Sequence, residues 1–355
     1  MPIQQMLLGT GGSLPVKVQD VFDANTRTGI NTAQTVTNSM DLSGEGGLVW
    51  TKSRSNAFWN VLYDTERGGS YSLTTNNTNT QATNIAGAVT FNNNGYSIAY
   101  GYGENNYTNY TYIDWVFRKH PKFFDIQTAT VNASGGSGIT HQLECDVGMA
   151  IFKSTNNTSQ GANWLVWHKN GTSVDNQYFN LNTNYGRHQQ NNTLTYNSSN
   201  KTFTFGYPAA VMADRMRPGT GSDSNVVGYF FAHNNNNGGF GDGGDEDIIK
   251  VGTYTGNGNN TGPAVSLGTG FEPQFVMIKH LNPSTYNDWF VFDTARGVST
   301  GGNDAILKWN AQAAETNNVN YIKFTSTGFQ LEDSSADVNQ SGHDYIYMAI
   351  RKDQS

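Results

Sequence analysis

The chain writes one unit three times, and that repetition constrains its fold more than any other feature. LYDTERGG at residues 62–69 and VFDTARGV at residues 291–298 both place Asp-Thr-x-Arg-Gly after an apolar and aromatic lead. GGLVWTKSR precedes the first and PQFVMIKHL the second, and between them lies a looser match, GMAIFKSTN followed by NWLVWHKNG. Each copy closes on an aromatic segment: YTYIDWVFRK, NVVGYFFAH and HDYIYMAIRK. Lys52 to Lys119, Lys153 to His233 and Lys279 to Lys352 span 67, 80 and 73 residues, differences that fit within loops. The boundaries are therefore 1–19 for a short segment outside the repeat, then modules at 20–121, 122–247 and 248–355.

Within each copy the apolar residues fall in short runs rich in Val, Ile, Tyr, Phe and Trp, often alternating, as in Phe203-Thr204-Phe205. Such runs read as strands. Asn/Gly turn signals separate them, and helical spacing is seen only over 303–315. The expected fold class is all-β, three tandem antiparallel β-sandwich modules. Only 14% of residues are charged, and Asn outnumbers all 28 acidic residues together. Solubility thus rests on amides and hydroxyls.

The net charge is −7, without a basic stripe, which leaves counterion release little to act on and argues against nucleic acid as a partner. No apolar run is long enough to span a bilayer, so membrane insertion is not expected, and the opening residues lack the pattern of a signal peptide. The single cysteine, Cys145, rules out an intrachain disulfide and reads as a small buried hydrophobe.

The repeated motif admits two readings. Asp64 and Glu66 could form a paired-carboxylate acid–base site of the kind that cleaves polysaccharides. Yet Glu66 corresponds to Ala295, and the middle copy substitutes His168-Lys169 for Asp-Thr. The structural reading makes Asp64, Arg67, Asp293 and Arg296 turn-fixing residues: the carboxylate accepts backbone N–H bonds, the guanidinium pairs with it, and glycine supplies a positive φ. That reading is preferred, and no catalytic residue is assigned.

NGGFGDGGDEDI (237–248) offers Asp242, Asp245 and Asp247 as a calcium candidate, but the spacing matches no EF-hand, and a solvated hinge between the second and third modules is the preferred alternative. The histidines have no ligand spacing, and no cofactor is expected. GYGENN (101–106) and GTGSDSN (219–225) lack the Lys-Ser/Thr of a phosphate loop and read as turns. In YGYGENNYTNYTYIDW (100–115), Tyr107, Tyr110 and Tyr112 stand among Asn and Thr, an aromatic and amide mixture suited to stacking on sugar rings.

YTGNGNNTG, FEPQFVMIKH, DWFVFDTARG, MDLSGEGGLVWTKSR and LYDTERGG together resemble a repeated concanavalin-A-like β-sandwich module of virion structural and tail-fibre-associated proteins of marine bacteriophages, podoviruses of cyanobacteria and pelagic bacteria. MPIQQMLLGTGG is similar to the N-termini of such proteins. The resemblance covers nearly all the chain after residue 20 and implies a jelly-roll fold for each module and a place on the virion. It implies a tail-fibre or adhesin-like structural protein, non-enzymatic and docked through residues 1–19. Its expected partners are other virion proteins, further copies of itself with a homotrimer as the expected form, and host-surface glycans. The alternatives are a capsid decoration protein and, third, a polysaccharide depolymerase.

Overall fold

The computed structural model describes residues 15–83, 87–132, 136–156, 162–172, 176–189, 194–206, 223–282, 288–298 and 302–353. Among them every strand pairing is antiparallel, and the only helical pieces are single 3₁₀ turns at Val18–Asp20 and Thr294–Arg296.

The first module comprises β1 (Phe22–Thr28), β2 (Gln34–Thr37), β3 (Gly47–Ser53), β4 (Val61–Asp64), β5 (Tyr71–Thr74), β6 (Ala82–Thr83), β7 (Val89–Asn92), β8 (Gly95–Ile98) and β9 (Thr111–Arg118). They form a six-stranded sheet in the order β1-β9-β3-β4-β5-β6 and a three-stranded sheet, β2-β8-β7. The second repeats this with β10 (Phe124–Val131), β11 (Gly138–Thr140), β12 (Val147–Ser154), β13 (Leu165–His168), β14 (Gln177–Asn180), β15 (His188–Gln189), β16 (Leu194–Asn197), β17 (Thr202–Phe205) and β18 (Ser224–Ala232). The third does so with β19 (Ile249–Thr255), β20 (Ala264–Ser266), β21 (Pro273–His280), β22 (Trp289–Asp293), β23 (Asp304–Lys308), β24 (Thr316–Val319), β25 (Ile322–Thr325), β26 (Gly328–Leu331) and β27 (Asp344–Arg351). Sheet orders β10-β18-β12-β13-β14-β15 with β11-β17-β16, and β19-β27-β21-β22-β23-β24 with β20-β26-β25, match the first module strand for strand. The fold is three antiparallel sandwich units of one topology.

Period-two alternation explains how the units assemble. On β3, Val49 faces the interior of its own sandwich with Val36, Tyr63, Tyr96 and Val116. Leu48 and Trp50 face the other way, into a core shared by all three modules. On β21, Val276 and Ile278 likewise line the third sandwich, while Phe275 and Met277 join the shared core. The central strands of each six-stranded sheet, such as β3, β12 and β21, are therefore buried on both faces, which is why they read as continuous apolar runs. Aromatic contacts cross every seam: Trp50 stacks on Trp309 at 4.2 Å, Phe117 meets Phe231 at 5.3 Å, and Phe179 meets Trp289 at 5.8 Å.

Three expectations are corrected. The helical spacing over 303–315 belongs to strand β23, a turn at 309–310 and the irregular chain after it. Ile306 faces the third sandwich and Leu307 the shared core, so consecutive apolar residues serve opposite faces rather than one helical stripe. The 237–248 stretch is no solvated hinge: Phe240 is fully buried, pairs with Glu246 across a closed turn, and is followed by Gly241, whose N–H donates to Val16. Within 1–19, residues 15–19 belong to the folded body, since Val18 sits in the shared core; residues 1–14 lie outside the described residues.

Candidate functional site

The recurring corner is a scaffold with a second duty. At the end of β4, Asp64 Oδ1 accepts from the backbone N–H of Arg67 at 2.9 Å, and Oδ2 accepts from Arg67 Nε at 2.6 Å. At the end of β22, Asp293 does the same with Arg296, at 3.0 and 2.7 Å. Gly68 and Gly297 follow at φ +89° and +109°, a region costly for a side chain. The turn-fixing roles of Asp64, Arg67, Asp293 and Arg296 are thus visible in the geometry, but each corner also reaches into another module. Tyr229 of β18 donates to Asp64 Oδ2 at 2.7 Å, and Trp115 of β9 donates through Nε1 to Asp293 Oδ2 at 2.9 Å.

The middle module solves the same problem with a histidine. His168 Nδ1 accepts from the N–H of Gly171 at 3.1 Å, the bond that Asp64 and Asp293 make three residues on. With Nδ1 accepting, Nε2 carries the proton and donates to the Tyr347 carbonyl of the third module at 3.0 Å. Burial pushes the imidazole down to about 4, so it stays neutral. A side chain at Gly171 is excluded, because a Cβ there would lie 2.6 Å from Ile346 Cγ2. The contacts close in a ring: first module to second, second to third, third to first. Tyr229 and Trp115 occupy equivalent register positions.

A second ring of cross-module contacts comes from the residues just before β4 and β13 and from the first residue of β22. Asn60 Nδ2 donates to Lys308 O and Ala311 O, Trp164 Nε1 to Thr74 O, and Trp289 Nε1 to Asn180 O. Three buried lysines occupy one equivalent position beside this ring. Lys52 Nζ donates to Gln312 O at 3.0 Å and Lys153 Nζ to Thr78 O at 3.1 Å, each a carbonyl of another module, while Lys279 Nζ lies 5.1 Å from the Trp289 ring centroid. Desolvation lowers each ammonium to about 7. These lysines serve as repeat landmarks in the sequence, but their burial has no sequence signal.

The paired-carboxylate arrangement does not form. Asp64 is fully buried in its seam, whereas Glu66 is at the surface with Lys119 at 2.6 Å. Of the expected sugar-contacting tyrosines, Tyr107 is exposed and Tyr110 half-buried beside it, ring centroids 4.9 Å apart. Tyr112 is a correction: it is fully buried, stacked under Arg27, with its hydroxyl accepting from Tyr107 N and donating to Gly103 O. The alternation of β9 turns it inward, where no ring face is free.

The calcium candidate is also corrected. Asp247 is buried, accepts three backbone N–H bonds from Asn236, Asn237 and Gly238, and pairs with Lys250 at 3.2 Å. Asp242 instead pairs with Lys17 at the surface, and Asp245 is exposed. Among the described residues no group of three or more His, Cys, Asp or Glu is placed to hold a metal ion. Cys145 is half-buried rather than buried, and desolvation raises its thiol to about 12, which leaves it unreactive at neutral pH. GYGENN is a turn whose Asn105 donates to Tyr63 Oη and Gly87 O; residues 219–222 of the other glycine loop lie outside the described residues.

One surface feature escaped the sequence reading. A cleft of about 270 Å³ opens on the first module, bordered by the exposed rings of Trp59 and Tyr102 and by Glu104, Asn79, Thr80 and Thr83. Its residues come from four separate segments, so no contiguous motif marks it.

Residues 17–353 match a family described as a domain of unknown function (DUF7483), a span that takes in all three modules and their seams. No curated protein matches the chain.

Proposed function

The chain belongs to the DUF7483 family, and we propose that it is a non-enzymatic structural protein of a bacteriophage virion, tail-fibre or adhesin-like, that contacts host-surface glycans. The observation that carries this reading is the use made of the repeated motif. Its Asp64, Asp293 and His168 groups are consumed in fixing the turns and joining modules into one body, as a particle component under mechanical stress requires. The amide-rich surface and the exposed aromatics of the first module support glycan contact. Residues 1–14 are the proposed docking segment, and a homotrimer on the particle would multiply a weak glycan affinity through avidity.

The test is mass spectrometry of purified virions from a lysate in which this chain is made, with a variant lacking residues 1–14 alongside. Full-length chain in the particles at low copy number, and loss of incorporation on truncation with the melting transition retained, are the expected results. Absence from particles overturns the virion reading, and normal incorporation of the truncated chain overturns the docking assignment. A capsid decoration protein is the second reading, favoured by the compact ring of modules, and copy number matching the shell lattice would select it.

A further inference from the structure

The three copies of the hairpin corresponding to β4–β5 differ where they decide whether the sheet face beside them is filled. Aligned by strand register, Val61 and Ser72 of the first module stand where the second has Leu165 and Tyr178 and the third has Phe290 and Ile306. In the second module Tyr178 stacks on His188 at 5.2 Å, and in the third Phe290 packs against Tyr321 at 6.1 Å with Lys308 Nζ over its ring. The smaller pair leaves the first module open at this place, and the cleft lies there.

Trp59 breaks the repeat at the same place. Its counterparts are Asn163 and Asp288, both committed to polar clamps. Asn163 accepts from Asn182 at 2.7 Å, and Asp288 accepts from Lys308 and Asn310 at 2.6 Å each. The first module keeps the corresponding Asn76, which accepts from the backbone of Asn60 just as Asn182 and Asn310 accept from Trp164 and Trp289. Only the clamp partner is replaced, by an indole that is 38% exposed. It shares the rim of the cleft with the exposed ring of Tyr102, and two exposed aromatic rings brought together at one concave site mark a contact surface where a lone exposed ring would not.

We propose that this cleft binds neutral pyranose rings of a glycan, with Trp59 and Tyr102 as stacking faces and Glu104, Asn79 and Thr80 as hydrogen-bonding partners of the sugar hydroxyls. Aromatic faces suit the apolar C–H side of a sugar, and amide, hydroxyl and carboxylate groups suit its rim. Among the described residues no Lys or Arg lines the cleft, and the Glu104 carboxylate repels anions, so phosphorylated and acidic sugars are disfavoured. This inference rests on the glycan-contact half of the proposed function and is independent of whether the chain sits on a particle.

The test uses the purified full chain, titrated with cellotetraose, maltotetraose, mannotetraose and chitotetraose, and with tetragalacturonate as the acidic probe, followed by tryptophan emission and saturation-transfer NMR. Trp59 is the exposed member of the seven tryptophans, so its emission reports the cleft. A saturable response to at least one neutral oligosaccharide and none to tetragalacturonate is expected. Trp59→Ala should weaken the NMR-detected binding at least about tenfold, or about 1.4 kcal/mol. Ser72→Tyr, which installs the second module's residue, should do the same while Trp59 remains as reporter. Silence of all four neutral probes, binding of the acidic probe, or unchanged binding in Trp59→Ala would overturn the proposal. Such a failure leaves virion incorporation untouched, and absence from virions leaves the titration untouched.

Discussion

At the scale of single residues, the corner shows how one geometric task can be met by different chemistry. Asp64 and Asp293 accept hydrogen bonds from both their own turn and another module, whereas His168 accepts from its turn and donates across the seam. Removing Arg67 would leave the buried Asp64 carboxylate without its cation, so Arg67→Ala should lower stability by about 3–5 kcal/mol in urea unfolding. The lysine ring gives a pH signature. The unfolded chain holds these three protons up to the ordinary 10.5, and the folded chain releases them near 7. Between those values the unfolded state binds more protons, so stability rises with pH from about 7 to 10.5. Urea midpoints across that window should climb for the native chain and flatten when Lys52, Lys153 and Lys279 are all replaced by Met. His168 acts with the same sign lower down: its contribution is complete above 6.5 and is lost as pH falls through about 4. The sequence marked Asp64, Arg67, Asp293 and Arg296 as turn-fixers because the turn is local. It was silent on Tyr229 and Trp115 as partners, because those contacts join residues more than a hundred positions apart.

At the scale of elements, alternation was legible where apolar and polar residues take turns, as in Phe203-Thr204-Phe205 of β17, and ambiguous on β23. β23 carries Ala305, Ile306 and Leu307 in succession, and its two faces are both apolar, so spacing alone could not distinguish it from a helix turn. Ile306→Ala and Leu307→Ala should each destabilise by about 2–5 kcal/mol, because each empties a different core. A helical segment would bury one of them far less, and similar urea-midpoint losses in both variants would separate the cases. Tyr112 belongs to the same lesson: its position in a polar, tyrosine-rich stretch suggested exposure, but the register of β9 against β1 turns it under Arg27.

At the scale of the whole molecule, the modules share a core in which Trp50, Trp115, Trp309 and Phe275 come from the first and third units and Phe117 and Phe231 from the first and second. A body held together this way should unfold in one cooperative transition, with fluorescence and circular dichroism midpoints coinciding. Residues 15–121 expressed alone should fail to form a stable monomer, because the sheet face carrying Leu48, Trp50 and Trp115 would lie in water; a folded, monomeric first module would contradict the shared-core account. The repeat, the strand-rich class and the identity of the corner residues were set by the sequence itself, since repetition, alternation and turn chemistry are local properties of the chain. Which face of each sheet meets its neighbours, which charges are buried in the seams and where the first module stays open were decided only by tertiary packing. Those outcomes depend on residues distant in sequence competing for the same space, and no local pattern records that competition.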